Sequence, residues 1–329
     1  MTLRQATALR YQDGQLQILD QRALPGRQQW LTVQSTEHLV ELIKSLAIRG
    51  APLIGIAAVL YLAVLARQGL ALEALRQTSQ VLRQSRPTAV NLMNLLDRIN
   101  PVLDQGAEQV EAAALALFDE DLALCDAIAE AGLPLIKPGM RILTHCNTGG
   151  LPTAGRGTAL GIITRAQEAG LGPFVWVDET RPLLQGARLT AYELKAAGVA
   201  HRLQVDSAAA SLFADGQVDL VLVGADRIAA NGDTANKVGT LMLAVLAKHY
   251  GVPFYIAAPW TTVDPACPGA GAIPIEDRDG SEVCQLGEQQ LAPADTQTYN
   301  PGFDVTPADL ISGWVTDRGL ITDPGAFIA

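Results

Sequence analysis

The first 131 residues carry two patterns of apolar positions. Residues 6 to 35 alternate polar and apolar side chains around "QDG", which predicts a small antiparallel sheet with a tight turn at Asp13-Gly14. From residue 36 the spacing becomes helical, and the first helix has a possible cap at Ser35 or Thr36. The segments predict helices near residues 36–50, 51–69, 71–85, 88–103 and 106–131. We therefore expect residues 1–131 to form a smaller domain of antiparallel strands and a helical bundle.

A different pattern begins near residue 132, where short apolar runs alternate with helical segments. The runs are "RILTHC", "GPFVWVDE", "HRLQVD", "VDLVLVGAD" and "VPFYIAAP". Strands that alternate with helices of this length indicate βαβ units and a parallel sheet with helices on both faces. The sequence therefore predicts the α/β class, with a second domain over residues 132–329.

The longest uncharged run, residues 50–66, is better explained as a buried helix than as a membrane span. It is at the short end of membrane-spanning length, opens with a proline and has no second span beside it. The amino terminus lacks an apolar stretch behind a basic segment, so it does not resemble a secretory signal. We expect a cytoplasmic protein that contacts no membrane.

The formal net charge of −10 argues against a surface that neutralises nucleic-acid phosphates, although a small basic pocket could still hold one phosphate group. Four cysteines and four histidines are scattered without a CxxC or HxxxH pair. Neither a disulfide framework nor a structural zinc site is therefore expected, and a reactive cysteine stays possible.

Polar side chains follow three of the predicted strands. Cys146 follows "RILTH", Asp178 ends "FVWVD", and Asp226 ends "LVLVGAD". Because ligands bind at the carboxyl ends of parallel strands, these clusters are expected at one edge of the sheet, as an active site requires.

Two of these residues are candidates for chemistry. Cys146 precedes "NTGG", where backbone amides and a helix N-terminus would lower a thiol pKa, but a buried packing thiol is the alternative. Asp226 leaves a buried strand, where a carboxyl group can have a raised pKa and act as an acid near neutral pH. Its alternatives are a helix cap or a salt bridge with Arg227.

Candidate phosphate contacts occur at three places. The stretch "GGLPTAGRGTALG" has GxGxxxG spacing rather than GxGxxG, which favours a cradle for one phosphate over a nicotinamide site. Asn236 and Lys237 precede a predicted helix and suit a sugar hydroxyl and a phosphate. Arg49-Gly50-Ala51 is a similar arrangement, while an ordinary solvated side chain is the alternative for Lys237 and Arg86.

Six stretches occur together in order: "RGAPLIG", "THCNTGG", "TAGRGTALG", "DETRPLLQGARLTAYEL", "GADRIAANGDTANKVGT" and "FDVTP". From about residue 10 to 317, the sequence resembles the methylthioribose-1-phosphate isomerases of methionine salvage. That family shares ancestry with regulatory subunits of the guanine-nucleotide exchange factor for translation initiation.

The resemblance implies an aldose-ketose isomerase that converts 5-methylthioribose 1-phosphate to 5-methylthioribulose 1-phosphate without a metal or redox cofactor. It implies a homodimer with a Rossmann-like carboxyl-terminal domain. The family's catalytic cysteine and aspartate fall on Cys146 and Asp226. Its substrate-binding positions fall on Arg49, Gly50, Ala51, Arg86, Gln185, Asn236 and Lys237.

The chemistry suits these residue types. The anomeric phosphate prevents spontaneous ring opening, so an acid such as Asp226 must protonate the ring oxygen. Hydrogen then moves from C2 to C1 through an enediolate, with Cys146 as base, or as a hydride, with Cys146 stabilising the transition state. Pro152, Arg156 and Thr261 depart from the family pattern, and Arg156 could lie near the 5-substituent or face solvent.

Other interpretations stay open. Isomerases of 5-deoxyribose 1-phosphate and ribose 1,5-bisphosphate belong to the same superfamily, as do its non-catalytic regulatory subunits. A binding subunit would need neither the thiol nor the acid, so the pairing of Cys146 with Asp226 favours an enzyme. A nicotinamide oxidoreductase is disfavoured by the missing GxGxxG spacing.

Overall fold

The structure, a computed structural model, describes residues 3–86 and 90–328 of the chain and divides into two units. Unit 1 consists of Met1–Ala127 and Thr148–Gly161, and unit 2 of Ile128–Asn147 and Ile162–Ala329. The glycine-rich stretch that follows Cys146 thus belongs to unit 1. The predicted domain boundary near residue 132 stays a prediction.

Unit 1 begins with an antiparallel sheet whose neighbouring strands follow chain order. The strands are β1 (Leu3–Gln5), β2 (Leu9–Gln12), β3 (Gln15–Leu19) and β4 (Trp30–Thr32). The predicted turn between β2 and β3 is present, and both of its residues, Asp13 and Gly14, have positive φ angles of 51° and 75°. This is the conformation that a two-residue hairpin favours.

Helices follow the sheet: α1 (Thr36–Lys44), α2 (Ala51–Arg67), α3 (Leu72–Ser85), α4 (Val90–Ile99) and α5 (Ala107–Gly132). The predicted cap is confirmed, because the Ser35 hydroxyl accepts the His38 N–H at 3.1 Å. Helix α1 ends six residues before the predicted stop at Gly50. Leu46 adopts a φ of 60°, and the turn after it buries Ile48 completely. The predicted start of the fourth helix, at residue 88, lies outside the described residues.

Helix α2 is the apolar run of the sequence, and nearly all of its side chains are buried. Gly55 lets α4 approach closely, since a Cβ there would lie 2.6 Å from Leu95 Cδ1. Among the described residues, no helix is long and apolar enough to cross a membrane. The interpretation as a buried helix is confirmed.

Unit 2 is built around a seven-stranded sheet in the order β17-β16-β11-β8-β5-β6-β7. These strands are β5 (Arg141–Thr144), β6 (Phe174–Asp178), β7 (Ala200–Gln204), β8 (Leu220–Val223), β11 (Phe254–Ala257), β16 (Gly313–Thr316) and β17 (Gly319–Ile321). All neighbours are parallel except β17, which is antiparallel to β16. The α/β class is confirmed, and the sheet is mixed.

Helices and short turns connect the strands of unit 2. The helices are α6 (Ala159–Glu168), α7 (Ala191–Ala196), α8 (Ala209–Ala214), α9 (Thr240–Tyr250) and α10 (Ser281–Cys284), and a π-helical turn, Gly186–Thr190, leads into α7. One core cluster packs α8 and α9 on the sheet around the fully buried Trp314. A small exposed hairpin pairs β13 (Gln285–Leu286) with β14 (Gln289–Gln290).

A second sheet in unit 2 has the order β12-β9-β10-β15. Its strands are β9 (Arg227–Ala229), β10 (Thr234–Lys237), β12 (Val263–Asp264) and β15 (Phe303–Thr306). The helix predicted to follow Lys237 directly begins at Thr240 instead. Asn236 and Lys237 lie in β10, because they pair with Asp304 and Phe303 of a strand more than sixty residues later.

Candidate active site

The carboxyl ends of β5, β6 and β8 lie at one edge of the main sheet, because β5 is parallel to both of the others. Cys146 follows β5 by two residues, Asp226 follows β8 by three, and Asp178 ends β6. The convergence of these strand ends was predicted from the sequence, and the sheet order confirms it.

Cys146 is buried and has a φ of 60°, which places its backbone in the left-handed region. Its N–H donates to Thr180 Oγ1 at 2.9 Å, and its carbonyl oxygen accepts from Thr190 Oγ1 at 2.5 Å. The next side chain, Asn147, donates from Nδ2 to Glu193 Oε1 at 2.7 Å. The backbone on both sides of the thiol is therefore fixed by buried side chains.

His145 lies beside Cys146 in sequence and is almost fully buried. Its Nε2 lies 2.9 Å from the Val238 carbonyl, which can only accept, so Nε2 carries a hydrogen. Its Nδ1 lies 2.9 Å from Asp178 Oδ2. Burial alone would lower the pKa of His145, but the bond to Asp178 and the charges of Asp178 and Asp206 outweigh it and raise that pKa.

Asp178 and Asp206 complete a network with His145, and their ligand-type atoms lie within 4.8 Å of one another. Each carboxylate oxygen already accepts a hydrogen bond. Gln204 Nε2 donates to Asp178 Oδ1 at 2.7 Å, and the Thr180 and Arg181 N–H groups donate to the two oxygens of Asp206, each at 2.7 Å. Because these bonds use the atoms that a metal would need, the cluster is better suited to fixing strand ends than to holding an ion.

Asp226 is half-buried, and its N–H donates to the Ala235 carbonyl at 2.9 Å. The alternative role as a helix cap is wrong, because strand β9 begins at the next residue. That next residue, Arg227, lies 3.4 Å from Asp264 in an ion pair.

Asn236 and Lys237 are both buried in β10. Asn236 Nδ2 donates to Thr240 Oγ1 at 2.9 Å, which ties the strand to the start of α9. Lys237 Nζ donates to the Gly302 carbonyl at 2.7 Å and lies 5.1 Å from the centre of the Phe303 ring. A buried ammonium group held this way is a strong partner for an anionic ligand.

Gln185 immediately precedes the π-helical turn and is buried. Its Oε1 is fully enclosed and has no hydrogen-bond partner in the described part of the chain. A buried amide oxygen without a hydrogen-bond donor lowers the stability of the fold. A ligand hydroxyl group that donates to Gln185 Oε1 would remove this cost.

Arg49, Gly50, Ala51 and Arg86 lie in unit 1. Gly50 has a φ of 90° and precedes α2, and a Cβ there would lie 2.3 Å from Pro152 Cβ. No side chain caps α2, Pro52 has no N–H, and the Leu53 N–H donates to the Pro152 carbonyl at 3.1 Å. At this helix start, the N–H groups of Gly50 and Ala51 are therefore the ones that suit an anion. Arg49 and Arg86 are half-buried, and Arg86 directly follows α3.

The glycine-rich loop bonds to a carboxyl group of the protein itself, and the phosphate cradle expected there stays a prediction. Asp121 of α5 is buried, and its Oδ2 accepts the Ala154 N–H at 2.7 Å. Burial raises the pKa of Asp121 to about 6. Hydrogen bonds from the loop backbone lower this pKa, but burial has the larger effect. Arg156 Nε donates to Asp126 Oδ1 at 2.8 Å, which gives Arg156 a structural partner within unit 1.

The family of the chain follows from comparison with known proteins. Residues 47–323 match the model described as the initiation factor 2 subunit family. The chain belongs to the initiation factor 2 subunit family. The resemblance inferred from its motifs is therefore confirmed.

Members of this family with high similarity carry one enzyme name. Methylthioribose-1-phosphate isomerases of Cronobacter sakazakii and Klebsiella pneumoniae are 60% and 57% identical over 324 residues. Each alignment covers 97% of this chain, with 96% of the first protein and 95% of the second.

Two solved structures of the family share the fold over nearly the whole chain. The 5-methylthioribose 1-phosphate isomerase of Pyrococcus horikoshii has a TM-score of 0.91 at 38% identity, covering 98% of this chain and 95% of that one. The delta subunit of the translation initiation factor eIF-2B of A. fulgidus has a TM-score of 0.88 at 35% identity, covering 98% and 99%.

Sequence reasoning missed two side chains that support the candidate residues, His145 and Thr190. The signal for His145 was its position between an apolar strand and Cys146, where a polar residue must find a buried partner. Thr190 gave no such signal, because hydroxyl groups occur throughout the chain.

We predict that Asp121→Asn will flatten the pH dependence of stability. The raised pKa means that folded Asp121 keeps its proton between pH 3.8 and about 6, where the unfolded chain has lost it. The free energy of unfolding should therefore fall by about 2–3 kcal/mol as pH rises through this window, and by less in the variant. Urea titrations at each pH measure this. The exposed Asp104→Asn should keep the wild-type slope, and an equal slope in Asp121→Asn would refute the prediction.

We predict that His145→Ala will lower the free energy of unfolding by about 3–5 kcal/mol, because Asp178 would stay buried without its partner. Since the pKa of His145 is raised, its stabilisation should be complete below about pH 6.5 and decline as pH rises through the folded-state pKa. Urea unfolding at pH 6 measures the loss. The exposed His249→Ala is the control, and similar midpoints for the two variants would contradict the prediction.

Proposed function

We propose that this protein is the aldose-ketose isomerase that converts 5-methylthioribose 1-phosphate to 5-methylthioribulose 1-phosphate in methionine salvage. The relatives named for this activity align over almost the entire chain, at 57% to 60% identity. The observation that carries the proposal is the placement of Cys146 and Asp226 after β5 and β8, which are neighbouring parallel strands. Strands paired in this way run about 4.8 Å apart, so their carboxyl ends present both residues at one edge.

Asp226 is proposed as the acid that protonates the ring oxygen and opens the sugar. Its half-buried position just after the fully buried strand β8 supports this role, because a carboxyl group there is partly shielded from bulk water, as a positioned catalytic acid needs. Cys146 is proposed to act next, while hydrogen moves from C2 to C1. Its buried thiol lies where water is excluded, which suits the enediolate route and the hydride route equally.

Buried polar groups of unit 2 are proposed to bind the substrate. Lys237 supplies a fixed positive charge for the phosphate, and Asn236 supplies an amide beside it. The unpartnered Gln185 Oε1 is proposed to accept a hydrogen bond from a sugar hydroxyl.

For unit 1, we propose a set of phosphate-binding residues. The support is local: no side chain caps the start of α2, where the N–H groups of Gly50 and Ala51 precede Pro52, and Arg49 precedes both. Arg86 is proposed as a second guanidinium donor. We propose that the reaction needs neither a metal nor a redox cofactor.

Three further properties are proposed with the activity. The strand order β7-β6-β5-β8-β11-β16 is that of a doubly wound sheet, which supports a Rossmann-like classification of unit 2. The family resemblance supports a homodimer. A cytoplasmic location is supported by four free cysteines, since thiols persist in reducing compartments.

A non-catalytic subunit is the second candidate function. The 35% identity and the TM-score of 0.88 to the A. fulgidus delta subunit favour it as a real alternative. An isomerase turns over the sugar phosphate and a non-catalytic subunit does not, so an activity assay distinguishes the two candidates.

We predict that the purified protein will isomerise 5-methylthioribose 1-phosphate faster than 5-deoxyribose 1-phosphate or ribose 1,5-bisphosphate. Cys146→Ser and Asp226→Asn should each lower kcat by about 1,000-fold or more, because each removes a group required in the reaction. Product formation measured by a coupled assay or by NMR provides the readout.

Matched controls separate chemistry from packing. Cys267→Ser changes another buried thiol, and Asp215→Asn changes an exposed carboxylate. Both should keep wild-type kcat. No turnover of the three sugars would support the non-catalytic subunit, and a fully active Asp226→Asn would exclude the acid role.

We predict that Gln185→Leu will raise KM about tenfold while leaving the melting temperature unchanged or higher. The substitution removes the acceptor for a sugar hydroxyl, but it also removes a buried oxygen that has no partner among the residues that the structure describes. Steady-state kinetics and thermal unfolding of the same samples test both parts. Gln217→Leu, at an exposed position, is the control, and an unchanged KM with a lower melting temperature would show a structural role instead.

A further inference from the structure

The backbone at Cys146 is in a conformation that a residue with a Cβ atom rarely adopts. A φ of 60° is rare for a residue with a Cβ, and such a conformation persists only where the surroundings over-determine it. Glycine would adopt it freely, yet the position carries a thiol. The surroundings of Cys146 should therefore show what holds it.

Two buried hydroxyl groups hold this residue from opposite sides. The Cys146 N–H donates to Thr180 Oγ1 at 2.9 Å, and Thr190 Oγ1 donates to the Cys146 carbonyl oxygen at 2.5 Å. Neither threonine is more than 1% exposed. Both backbone polar groups of Cys146 thus bond to side chains of two other segments.

The two threonines are themselves fixed. Thr180 has a φ of 65°, its N–H donates to Asp206 Oδ1 at 2.7 Å, and its hydroxyl donates to the Asp178 carbonyl at 3.1 Å. Thr190 ends the π-helical turn, and its oxygen accepts from Asn147 Nδ2 at 3.2 Å. Each hydroxyl is used as donor and as acceptor, so neither can rotate without losing a bond.

This arrangement determines where the thiol points. The φ angle sets the direction of the Cα–Cβ bond relative to the incoming strand β5, so a return to an ordinary negative φ would turn the sulfur away from its present position. A reacting group must be held within a fraction of an ångström of its productive position, because small displacements cost large factors in rate.

We propose that Thr180 and Thr190, here called the threonine clamp, are positioning residues that hold Cys146 in its left-handed conformation and so aim its thiol at the substrate. The proposal rests on the proposed function in one respect, since the reaction supplies its kinetic readout. Neither threonine is proposed to touch the substrate.

Valine and serine substitutions separate the hydroxyl from the shape of the side chain. Thr180→Val and Thr190→Val keep the branched shape and remove the bond to Cys146, whereas Thr180→Ser and Thr190→Ser keep the bond. We expect each valine variant to lower kcat about 10- to 100-fold with KM within about twofold of wild type. Each serine variant should retain kcat within about fivefold.

Thr306→Val is the matched control. Thr306 is fully buried in unit 2, and its hydroxyl has no hydrogen-bond partner in the described part of the chain, so removing it should leave kcat unchanged. Melting temperatures confirm that each variant is folded. The two threonines lie in different segments. If a variant at one of them fails to fold, the valine and serine variants at the other threonine still test the proposal.

Alkylation of Cys146 gives a readout that needs no substrate. Iodoacetamide labelling, resolved by mass spectrometry of the Cys146 peptide, should be about five times faster or more in the valine variants, because a released loop exposes a buried thiol. Cys267 provides an internal reference in the same sample.

The outcomes distinguish this proposal from the proposed function. If wild type turns over the sugar phosphate but folded valine variants keep wild-type kcat and labelling rate, the clamp is refuted. Equal losses of kcat in the serine and valine variants would refute it as well. If wild type shows no turnover, the proposed function fails, while faster labelling in the valine variants alone would still support the clamp.

Discussion

The buried network around Asp178 and Asp206 is the constraint on which the candidate site depends. It joins the end of β6 to His145 on one side and to the Thr180 backbone on the other. Through His145 it also reaches Val238, beside the strand that carries Lys237. Charged groups are tolerated in this interior only because each has several partners, so the network fixes the loops at the carboxyl edge of the sheet.

That constraint explains why unusual backbone occurs where it does. Cys146 and Thr180 have positive φ angles, and a π-helical turn follows Gln185. These features cluster at the same sheet edge, where functional sites of parallel sheets form, and π-helical turns are frequent at such sites. Strain of this kind is stable because hydrogen bonds from two other segments oppose its release.

The glycine-rich loop after Cys146 also bonds to a buried carboxyl group. Its sequence indicates an anion site, and its Ala154 N–H donates to the side chain of Asp121 from helix α5. Glycines that let backbone amides converge give the same sequence pattern for an internal carboxyl group and for a bound phosphate. The sequence pattern alone therefore did not reveal the bond to α5.

The sequence by itself determined the α/β class, the hairpin at Asp13-Gly14, the buried helix α2 and the strands whose ends carry Cys146 and Asp226, since these follow from local periodicity and turn chemistry. It placed the start of α9 too early and missed β16 and β17. Tertiary structure decided that Asn236 and Lys237 lie in a strand, because their partner β15 is far away in sequence. It also decided which hydroxyls and carboxylates surround Cys146, since hydrogen bonds between distant segments leave no periodic pattern in the chain.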